Sequence, residues 1–343
     1  MKAALIRKHG GPEVIEVSDI PEPKPGPWEV VVDVHAAALN HLDIWVRAGG
    51  RAELEGPHVL GSDAAGVVSA LGESVHGVNM GDEVVIKAGL SCGCCESCLA
   101  GQQSLCATFG IIGMSRNGTF AEKVAVPAIN VAPKPVYLNF EEAAALGVAY
   151  VTAWRMLITR AALRPGETVL IHGIGGGVAL AGLQIAKLSS ARVIVTSSSD
   201  EKLRRAADLG ADETINYKKT KDVAARVREL TGGRGADIAL DSVGAAAWPV
   251  DIQAVRKGGR VVICGVTTGA EAVTDLRAVY WNQLTLLGST FGSHEDVRSL
   301  LAFVEAAKLR PVIDSIMPLA KVREATERME SGEQFGKIIL KVR

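Results

Sequence analysis

Five of the six cysteines in the 343-residue sequence fall within one short stretch. Two residues separate Cys92 from Cys95 and Cys95 from Cys98, and Cys106 follows after seven more. Gaps of two residues let thiolates converge on one ion, and four thiolates complete the closed tetrahedral shell of structural zinc. In a reducing compartment, metal binding is a better interpretation of such a cluster than disulfides. The spacing predicts one zinc ion on Cys92, Cys95, Cys98 and Cys106, with Cys94 pointing away.

A glycine-rich loop is the second feature that could do chemistry. A predicted strand over residues 168–172 runs into Gly-Ile-Gly-Gly-Gly-Val, and a predicted helix follows. Glycines let the backbone turn sharply and approach a pyrophosphate, which the helix N-terminus attracts. The loop departs from G-x-G-x-x-G, because Val178 and Ala179 stand where the last glycine is expected. The residues expected to bind the phosphates of a dinucleotide are Gly173, Gly175, Gly176, Gly177 and Val178.

The end of the next predicted strand bears on the choice of cofactor. An acidic residue there accepts hydrogen bonds from the ribose hydroxyls of NAD, whereas small or basic residues leave room for a 2′-phosphate. Here the strand ends in Ser197, and no carboxylate appears before Asp200. Lys202 lies on the first predicted turn of the following helix, and the serines are also suited to capping that helix. The sequence therefore favours NADP(H) over NAD(H), with Ser197 and Lys202 at the 2′-phosphate.

The glycine loop belongs to a region of alternating strands and helices. Such alternation predicts an α/β fold, a doubly wound parallel sheet with helices on both faces. The predicted strands cover residues 167–172, 192–196, 213–216, 236–241 and 260–264, and the helices cover 178–189, 201–209, 222–230 and 246–255. The first 130 residues instead combine β-branched runs with Gly- and Pro-rich turns, which predicts a β-rich, barrel-like domain.

Length and charge narrow the class of protein further. A chain of 343 residues is too long for one hydrophobic core, so two domains are expected. The 37 basic and 38 acidic residues nearly balance, which argues against recruitment by nucleic acid or an anionic membrane. The first residues lack the apolar run of a signal peptide. We expect a cytoplasmic protein that acts on a small molecule.

The four-cysteine spacing, followed by a nucleotide-binding fold, resembles the medium-chain alcohol dehydrogenase and quinone reductase superfamily over the whole chain. The resemblance implies a GroES-like catalytic domain over residues 1–149 and a Rossmann NAD(P)-binding domain over 150–287. Residues 288–343 would return to the catalytic domain, and the last segment could form a strand paired into it. It also implies cofactor contacts by Thr152, Tyr217 and Gly265, and a homodimer or homotetramer joined through the cofactor domains.

The sequence departs from the zinc alcohol dehydrogenases at their catalytic metal. At the positions that resemble those of the family's three zinc ligands, this sequence has Asn40, Ser62 and Val148. None of these side chains supplies a thiolate or an imidazole. The segment from Asn40 through Asp43 to Arg47 instead resembles the zinc-free quinone reductase branch. We therefore expect a chain that keeps the structural zinc but lacks the catalytic one.

Loss of the catalytic metal changes which reaction is feasible. Zinc helps alcohol oxidation by stabilising the alkoxide, so a zinc-free site is better suited to reducing an acceptor that is already electrophilic. A quinone or an enone fits, because its developing oxyanion needs only hydrogen-bond donors. We expect Asn40 to be such a donor and Asp63 to replace the family glutamate. Asp43 and Arg47 would hold the pocket as an ion pair, or form only a helix-surface pair.

Two other functions remain open from the sequence. An alcohol dehydrogenase could bind its metal through substitute ligands, namely His41, Asp43 and Asp63. A non-catalytic nucleotide-binding protein, similar to the lens crystallins among zinc-free relatives, is an alternative of another class. Two zinc ions per chain would indicate the first alternative, and one zinc ion without turnover would indicate the second.

Overall fold

The computed structural model describes residues 1–49, 54 and 56–343, which divide into two compact units. The terminal unit contains residues 1–149 and 292–343, and the central unit contains residues 150–291. The chain thus returns to the terminal unit at residue 292, slightly later than the boundary at 288 expected from the sequence. Within these described residues, no helix is long and apolar enough to cross a bilayer.

The first segment of the terminal unit is mostly strands. They are β1 (Lys2–Ile6), β2 (Glu16–Asp19), β3 (Glu29–Ala38), β4 (His58–Val59), β5 (Asp63–Leu71), β6 (Glu83–Ile86), β7 (Gly89–Leu90), β8 (Gly110–Ile111), β9 (Lys123–Pro127) and β10 (Val131–Pro133). The helices are α1 (His41–Ala48), α2 (Glu96–Leu99), α3 (Phe140–Ala145) and α4 (Val148–Trp154), with 3-10 turns at Pro12–Val14, Gln103–Leu105 and Ala128–Asn130. Helix α4 crosses into the central unit at Tyr150, and a π-helical turn, Arg155–Arg160, continues it there.

The central unit alternates strands and helices. Its strands are β11 (Thr168–Ile171), β12 (Arg192–Ser197), β13 (Glu213–Asn216), β14 (Ala236–Asp241), β15 (Val255–Ile263) and β16 (Thr285–Gly288). Its helices are α5 (Gly177–Leu188), α6 (Asp200–Asp208), α7 (Val223–Leu230), α8 (Trp248–Ala254) and α9 (Leu276–Trp281). The described strands form one sheet in the order β13-β12-β11-β14-β15-β16, with parallel neighbours. This is the order of a doubly wound dinucleotide-binding sheet, so the predicted fold class is confirmed.

The C-terminal segment completes the terminal unit. It contains α10 (His294–Ala307), β17 (Ile313–Pro318), a 3-10 turn at Leu319–Lys321, α11 (Val322–Glu330) and β18 (Lys337–Lys341). Strand β18 pairs antiparallel with β3, with Ile339 opposite Ala38, so the predicted return strand is confirmed. β3 and β18 are adjacent in the largest described sheet, whose apolar side chains share one core cluster.

Candidate functional site

The four predicted zinc ligands come together in the loop that follows β7. The sulfur atoms of Cys92, Cys95, Cys98 and Cys106 all lie within 4.8 Å of one another. Sulfurs bound at about 2.3 Å to a tetrahedral zinc ion are separated by just under 4 Å, so this cluster fits such an ion. Cys94 is exposed and lies outside the cluster. The geometry supports a closed structural zinc site of four thiolates, with no open position for a substrate.

Metal analysis is expected to find one zinc ion per chain, and Cys95→Ser is expected to reduce the zinc content well below one. Zinc bound to a folded loop contributes to folding free energy, so the variant should also melt at a lower temperature. Cys264→Ser is the matched control, because Cys264 lies outside the cluster and should leave the zinc content unchanged. Lost NADPH affinity with an unchanged melting temperature in Cys95→Ser would contradict this assignment.

The glycine loop connects β11 to α5 as predicted. Gly173 and Gly175 have φ angles of 66° and 120°, a region that favours glycine. Gly176 is the N-cap of α5, and Gly177 and Val178 form its first turn. A Cβ atom on Gly182 would lie 3.0 Å from Leu240, so this glycine lets α5 pack closely on the sheet. The last glycine of G-x-G-x-x-G, which allows close packing of the helix on the sheet, is replaced here by Val178 and Ala179. Gly182 allows that close packing instead.

A cavity of about 750 Å³ lies at the carboxyl ends of the central strands. His172 and Gly173 line it just after β11, Thr196 lines it from β12, and Tyr217 lines it just after β13. In doubly wound sheets, dinucleotides bind at this edge, where the strand order reverses. The size and lining of this cavity, which we call the nucleotide cavity, fit the nucleotide part of a nicotinamide cofactor. The cavity is also lined by residues that were not predicted from the sequence, namely Thr220, Lys221, Asp222, Val243, Pro249 and Gln253.

The remaining predicted cofactor residues occupy different places. Ser197 ends β12 and is buried, and its Oγ accepts a hydrogen bond from the backbone N–H of Ser199 at 3.2 Å. Lys202 lies on the first turn of α6 and is half-buried. Thr152 is buried on α4, and a Cβ atom on Gly265 would lie 2.7 Å from the carbonyl oxygen of Ser242. Of the five positions predicted outside the loop, Tyr217 is the one that lines the nucleotide cavity.

His172 is held by a buried acidic partner beneath the nucleotide cavity. Its Nε2 lies 2.8 Å from Oδ1 of Asp251, and its Nδ1 lies 3.1 Å from Oγ1 of Thr196. Burial disfavours the imidazolium, but the charge and hydrogen bond of Asp251 outweigh burial, so the pKa of His172 is raised. Asp241 is also buried nearby, and burial together with the charge of Asp251 raises its pKa to about 6. These groups fix the end of β11 at the start of the glycine loop.

A buried polar network in the terminal unit joins residues that are distant in the sequence. Nδ2 of Asn40 donates to Oδ2 of Asp63 at 2.9 Å, and the backbone N–H of Val148 donates to Oδ1 at 2.8 Å. Nζ of Lys337 donates to Oδ1 of Asn40 and to the carbonyl oxygen of Leu39, each at 2.6 Å. It also lies 3.2 Å from Oδ2 of Asp63. We call these contacts the Asp63–Lys337 network. Lys337 was not predicted from the sequence as a residue of the site.

The three positions matched to catalytic zinc ligands converge on this network. Asn40 and Val148 contact Asp63 directly, and Ser62 precedes it in the chain. Both oxygen atoms of Asp63 therefore already have hydrogen-bonded partners. In the described part of the chain, the cysteine cluster is the one group of three or more Cys, His, Asp or Glu side chains that could hold a metal. The alternative set of His41, Asp43 and Asp63 does not form such a group.

Asp43 and Arg47 do not form the expected ion pair. Asp43 is the third residue of α1, so its Oδ2 turns back to accept the backbone N–H of Asn40 at 2.8 Å. Arg47 lies one turn later, and its Nη2 pairs with Glu330 of α11 instead. Both side chains are buried, which also corrects the interpretation as a helix-surface pair. Together they secure both ends of α1, the helix that begins beside Asn40.

Comparisons with known proteins agree with both units. Residues 26–136 match the alcohol dehydrogenase GroES-like domain, and residues 177–306 match the zinc-binding dehydrogenase family. The chain belongs to the medium-chain dehydrogenase/reductase superfamily. An alcohol dehydrogenase of Geobacillus stearothermophilus is 34% identical, covering 100% of this chain and 99% of the relative. The quinone oxidoreductase of Homo sapiens is 31% identical, covering 99% and 97%.

A solved structure gives a stronger match to the fold. The crystal structure of an NAD-dependent alcohol dehydrogenase is 49% identical and has a TM-score of 0.96, with all of both chains covered. Within the medium-chain superfamily, this chain is an NAD(P)-dependent oxidoreductase. The relatives' names include both alcohol dehydrogenases and quinone oxidoreductases, so family membership leaves the substrate open.

Proposed function

We propose that this member of the medium-chain superfamily reduces a quinone or an α,β-unsaturated carbonyl, using a reduced nicotinamide cofactor and no active-site metal. The observation that supports the proposal is the Asp63–Lys337 network. At the matched ligand positions the chain offers an amide, a hydroxyl and an alkyl side chain, and the amide of Asn40 is bonded to Asp63 and Lys337. This donor set does not suit zinc.

The ammonium of Lys337 does not replace zinc as an electrophile. It has three N–H groups and three acceptors, on Leu39, Asn40 and Asp63, so its hydrogen-bonding capacity is used within the protein. A substrate alcohol would therefore find no metal ion and no cation with a spare donor here to stabilise its alkoxide. An acceptor that is already electrophilic needs only a hydride, which the bound nicotinamide supplies, and a donor for the developing oxyanion.

We assign that donor to Asn40. One N–H of the Asn40 amide donates to Asp63. The other is directed at the carbonyl oxygen of Ala38, and the distance from Nδ2 to that oxygen, 3.4 Å, is longer than in most such hydrogen bonds. This weakly used hydrogen is the one proposed to reach the substrate. Asp43, Arg47 and Asp63 act in the proposal as positioning residues, because each holds Asn40 or the helix that follows it.

Kinetics combined with metal analysis tests the proposed reaction. We expect NADPH oxidation with a benzoquinone or an enone in protein that carries one zinc ion, and no inhibition by a chelator that leaves that ion in place. Alcohol oxidation that requires a second metal equivalent would contradict the proposal and favour the alcohol dehydrogenase alternative. Cofactor binding without turnover of quinones, enones or alcohols would favour the non-catalytic alternative.

We propose further that the cofactor is NADP(H) in preference to NAD(H). No carboxylate lies within β12 or at its end, and Asp200 beyond it is bonded to Asn216 and Lys219. Lys202 on α6 offers a cation for the 2′-phosphate, and Lys221 is a second cation that lines the nucleotide cavity. A charge-assisted hydrogen bond of about 1–2 kcal/mol corresponds to a preference of several-fold to thirty-fold.

Ser197→Asp is expected to reverse the cofactor preference, because a carboxylate repels the 2′-phosphate and accepts hydrogen bonds from the ribose of NAD. Lys202→Ala should weaken NADPH binding several-fold and leave NADH binding nearly unchanged. Titration of both cofactors against the parent and each variant measures the effect, and Lys221→Ala shows whether the second lysine contributes. Equal affinities in the parent that Ser197→Asp does not shift would show that Ser197 lies away from the ribose.

We also propose that two copies of the chain associate through β16. This strand is at the edge of the described central sheet, and Leu286 on it is exposed. The preceding helix α9 has no buried residue and exposes Leu276, Tyr280 and Trp281, each by more than 60%. An exposed apolar edge strand can pair with another strand, and a second copy presents the same edge by two-fold symmetry.

Leu286→Arg is expected to convert the dimer, or a tetramer built from dimers, to smaller species, because it places a charge at the proposed two-fold contact. Light scattering after size-exclusion chromatography measures the mass. Leu188→Arg is the control, since Leu188 is an exposed leucine on α5, away from β16. A parent protein that is monomeric at micromolar concentration would contradict the proposed association.

A further inference from the structure

A second cavity, of about 490 Å³, lies in the central unit and is lined by basic side chains. Its cationic lining residues are Arg228, Arg234, Arg256 and Lys257. Arg234 lies two residues before β14, and Arg256 lies at the start of β15, so this cavity is at the amino ends of the strands. The nucleotide cavity lies at the carboxyl ends, and the two cavities share no lining residue. We call the second one the basic cavity.

Two of these cations are held in place by one buried carboxylate. Arg234 donates to Asp237 through Nη1 at 2.8 Å and Nη2 at 2.7 Å, and Nε of Arg256 donates to the same carboxylate at 2.5 Å. Asp237 also accepts the backbone N–H of Thr168. Burial favours the neutral acid, but these donors outweigh burial and lower the pKa of Asp237. Asp237 is therefore ionised at neutral pH and keeps both guanidinium groups in position.

The basic cavity carries more positive charge than its neighbours neutralise. Nη2 of Arg228 is bonded to the uncharged carbonyl oxygen of Gln253. Among the described residues, Lys257 forms no ion pair, and Nη2 of Arg256 has no hydrogen-bond partner. Four cations face one carboxylate there, although the whole chain has a net charge of −1. The surplus cations repel one another, and an anion carrying several charges would relieve that repulsion.

We propose that the basic cavity binds a diphosphate group, as a ligand separate from the cofactor. Guanidinium groups match phosphate oxygens in pairs, and an ammonium adds a point charge that a multivalent anion satisfies. The concave shape and the volume suit a small molecule. The loop glycines add no backbone donors, because Gly233 and Gly235 already donate to Arg228 and Thr231. Recognition therefore rests on the side chains of Arg228, Arg256 and Lys257, with Arg234 contributing its charge.

Calorimetric titration with inorganic pyrophosphate tests the proposal on the full chain. Saturating NADPH is present throughout, so that the nucleotide cavity is occupied, and ionic strength is held constant with sodium chloride. We expect one pyrophosphate per chain with a submillimolar Kd, weakened about tenfold or more in Arg228→Gln/Lys257→Gln. The control Arg226→Gln/Lys321→Gln removes the same charge outside the basic cavity, from two exposed ion pairs, and should change the Kd less than about twofold.

The source of the diphosphate is tested by adding ADP in the same way. A Kd for ADP that is lower than that for pyrophosphate identifies a nucleoside diphosphate as the ligand, and equal values identify the free anion. The single variant Lys257→Gln keeps the test valid if the double variant misfolds, because Lys257 is exposed and its replacement should not disturb the fold. Lys257→Gln should still weaken binding about threefold. Absence of saturable binding up to ~10 mM, or equal weakening in the control, would overturn the proposal.

Discussion

Replacing Lys337 with methionine is expected to destabilise the terminal unit by about 3–5 kcal/mol, because it leaves the carboxylate of Asp63 buried without its counter-charge. Neither side chain of this pair is more than 4% exposed, so water does not compensate. Asn40 and the backbone N–H of Val148 would still donate to Asp63, but they carry no charge. Denaturant unfolding followed by circular dichroism, with parent and variant compared at the same pH, measures the loss.

Two further variants separate the buried charge from other effects of the substitution. Lys341→Met changes the same residue type on the same strand, but that side chain is 59% exposed and 3.9 Å from Glu141, so a loss under about 0.5 kcal/mol is expected. Lys337→Met/Asp63→Asn removes both charges and should recover about half of the loss. A loss below about 1 kcal/mol in Lys337→Met would show that Asp63 is not left uncompensated.

Sequence patterns predicted the strands of the central sheet well where periodicity is strong. β13 and β14 have the predicted bounds, and β11 and β12 differ from prediction by a residue or two at their ends. β16 was missed because its short Thr-Leu-Leu-Gly sequence has no alternation, and three of its four residues are exposed. An edge strand without a buried face gives no hydrophobic pattern to detect.

The candidate site was predicted less completely, because its contacts join distant parts of the chain. The spacing of the cysteines is local, and it was enough to assemble four ligands. Lys337 and Asp63 are separated by 274 residues, and no local pattern relates them. The strand that carries Lys337 was predicted, but a lysine at its first residue reads as solvent-exposed, since lysines are seldom buried unless paired.

The pairing of Arg47 illustrates the same limit. A spacing of four residues on one helix favours contact between Asp43 and Arg47, and this rule applies to exposed helix faces. Here the first turn of α1 takes Asp43 as a cap, and tertiary packing brings Glu330 to Arg47. Local spacing could not predict that Asp43 and Arg47 have other partners. Those partners are the backbone of Asn40 and Glu330, a residue on the last helix.

Asp43→Asn is expected to abolish a loss of about 3 kcal/mol in stability that the parent undergoes between pH 5 and pH 8. Burial is the main cause that raises the pKa of Asp43 to about 7, and the charge of Asp63 raises it further. The backbone N–H groups of Asn40 and Gly61 and the charge of Lys337 lower the pKa, but by less. In the unfolded chain the pKa of this carboxyl is near its ordinary 3.8. Each pKa unit of difference between the two states corresponds to about 1.4 kcal/mol.

The direction of this pH dependence follows from the tighter binding of the proton to Asp43 in the folded chain than in the unfolded chain. Between about pH 4 and pH 7 the folded chain keeps the proton on Asp43 while the unfolded chain loses it, so the stabilising contribution falls as pH rises through that window. The amide in Asp43→Asn resembles the protonated acid, and its oxygen still accepts the N–H of Asn40. The variant should therefore equal the parent near pH 4 and exceed it by several kcal/mol at pH 8.

Only the difference between the two stability curves is diagnostic, because His172 and Asp241 also titrate in the parent, and both are unchanged in the variant. Unfolding free energies at half-unit steps of pH would give that difference. Asp208→Asn serves as the control, since it makes the same change at a side chain that is 66% exposed, where an ion pair contributes little to stability. A flat difference curve for Asp43→Asn would mean that Asp43 is ionised in the folded protein. The positive charge of Lys337 would then offset the negative charges of two buried carboxylates, those of Asp43 and Asp63.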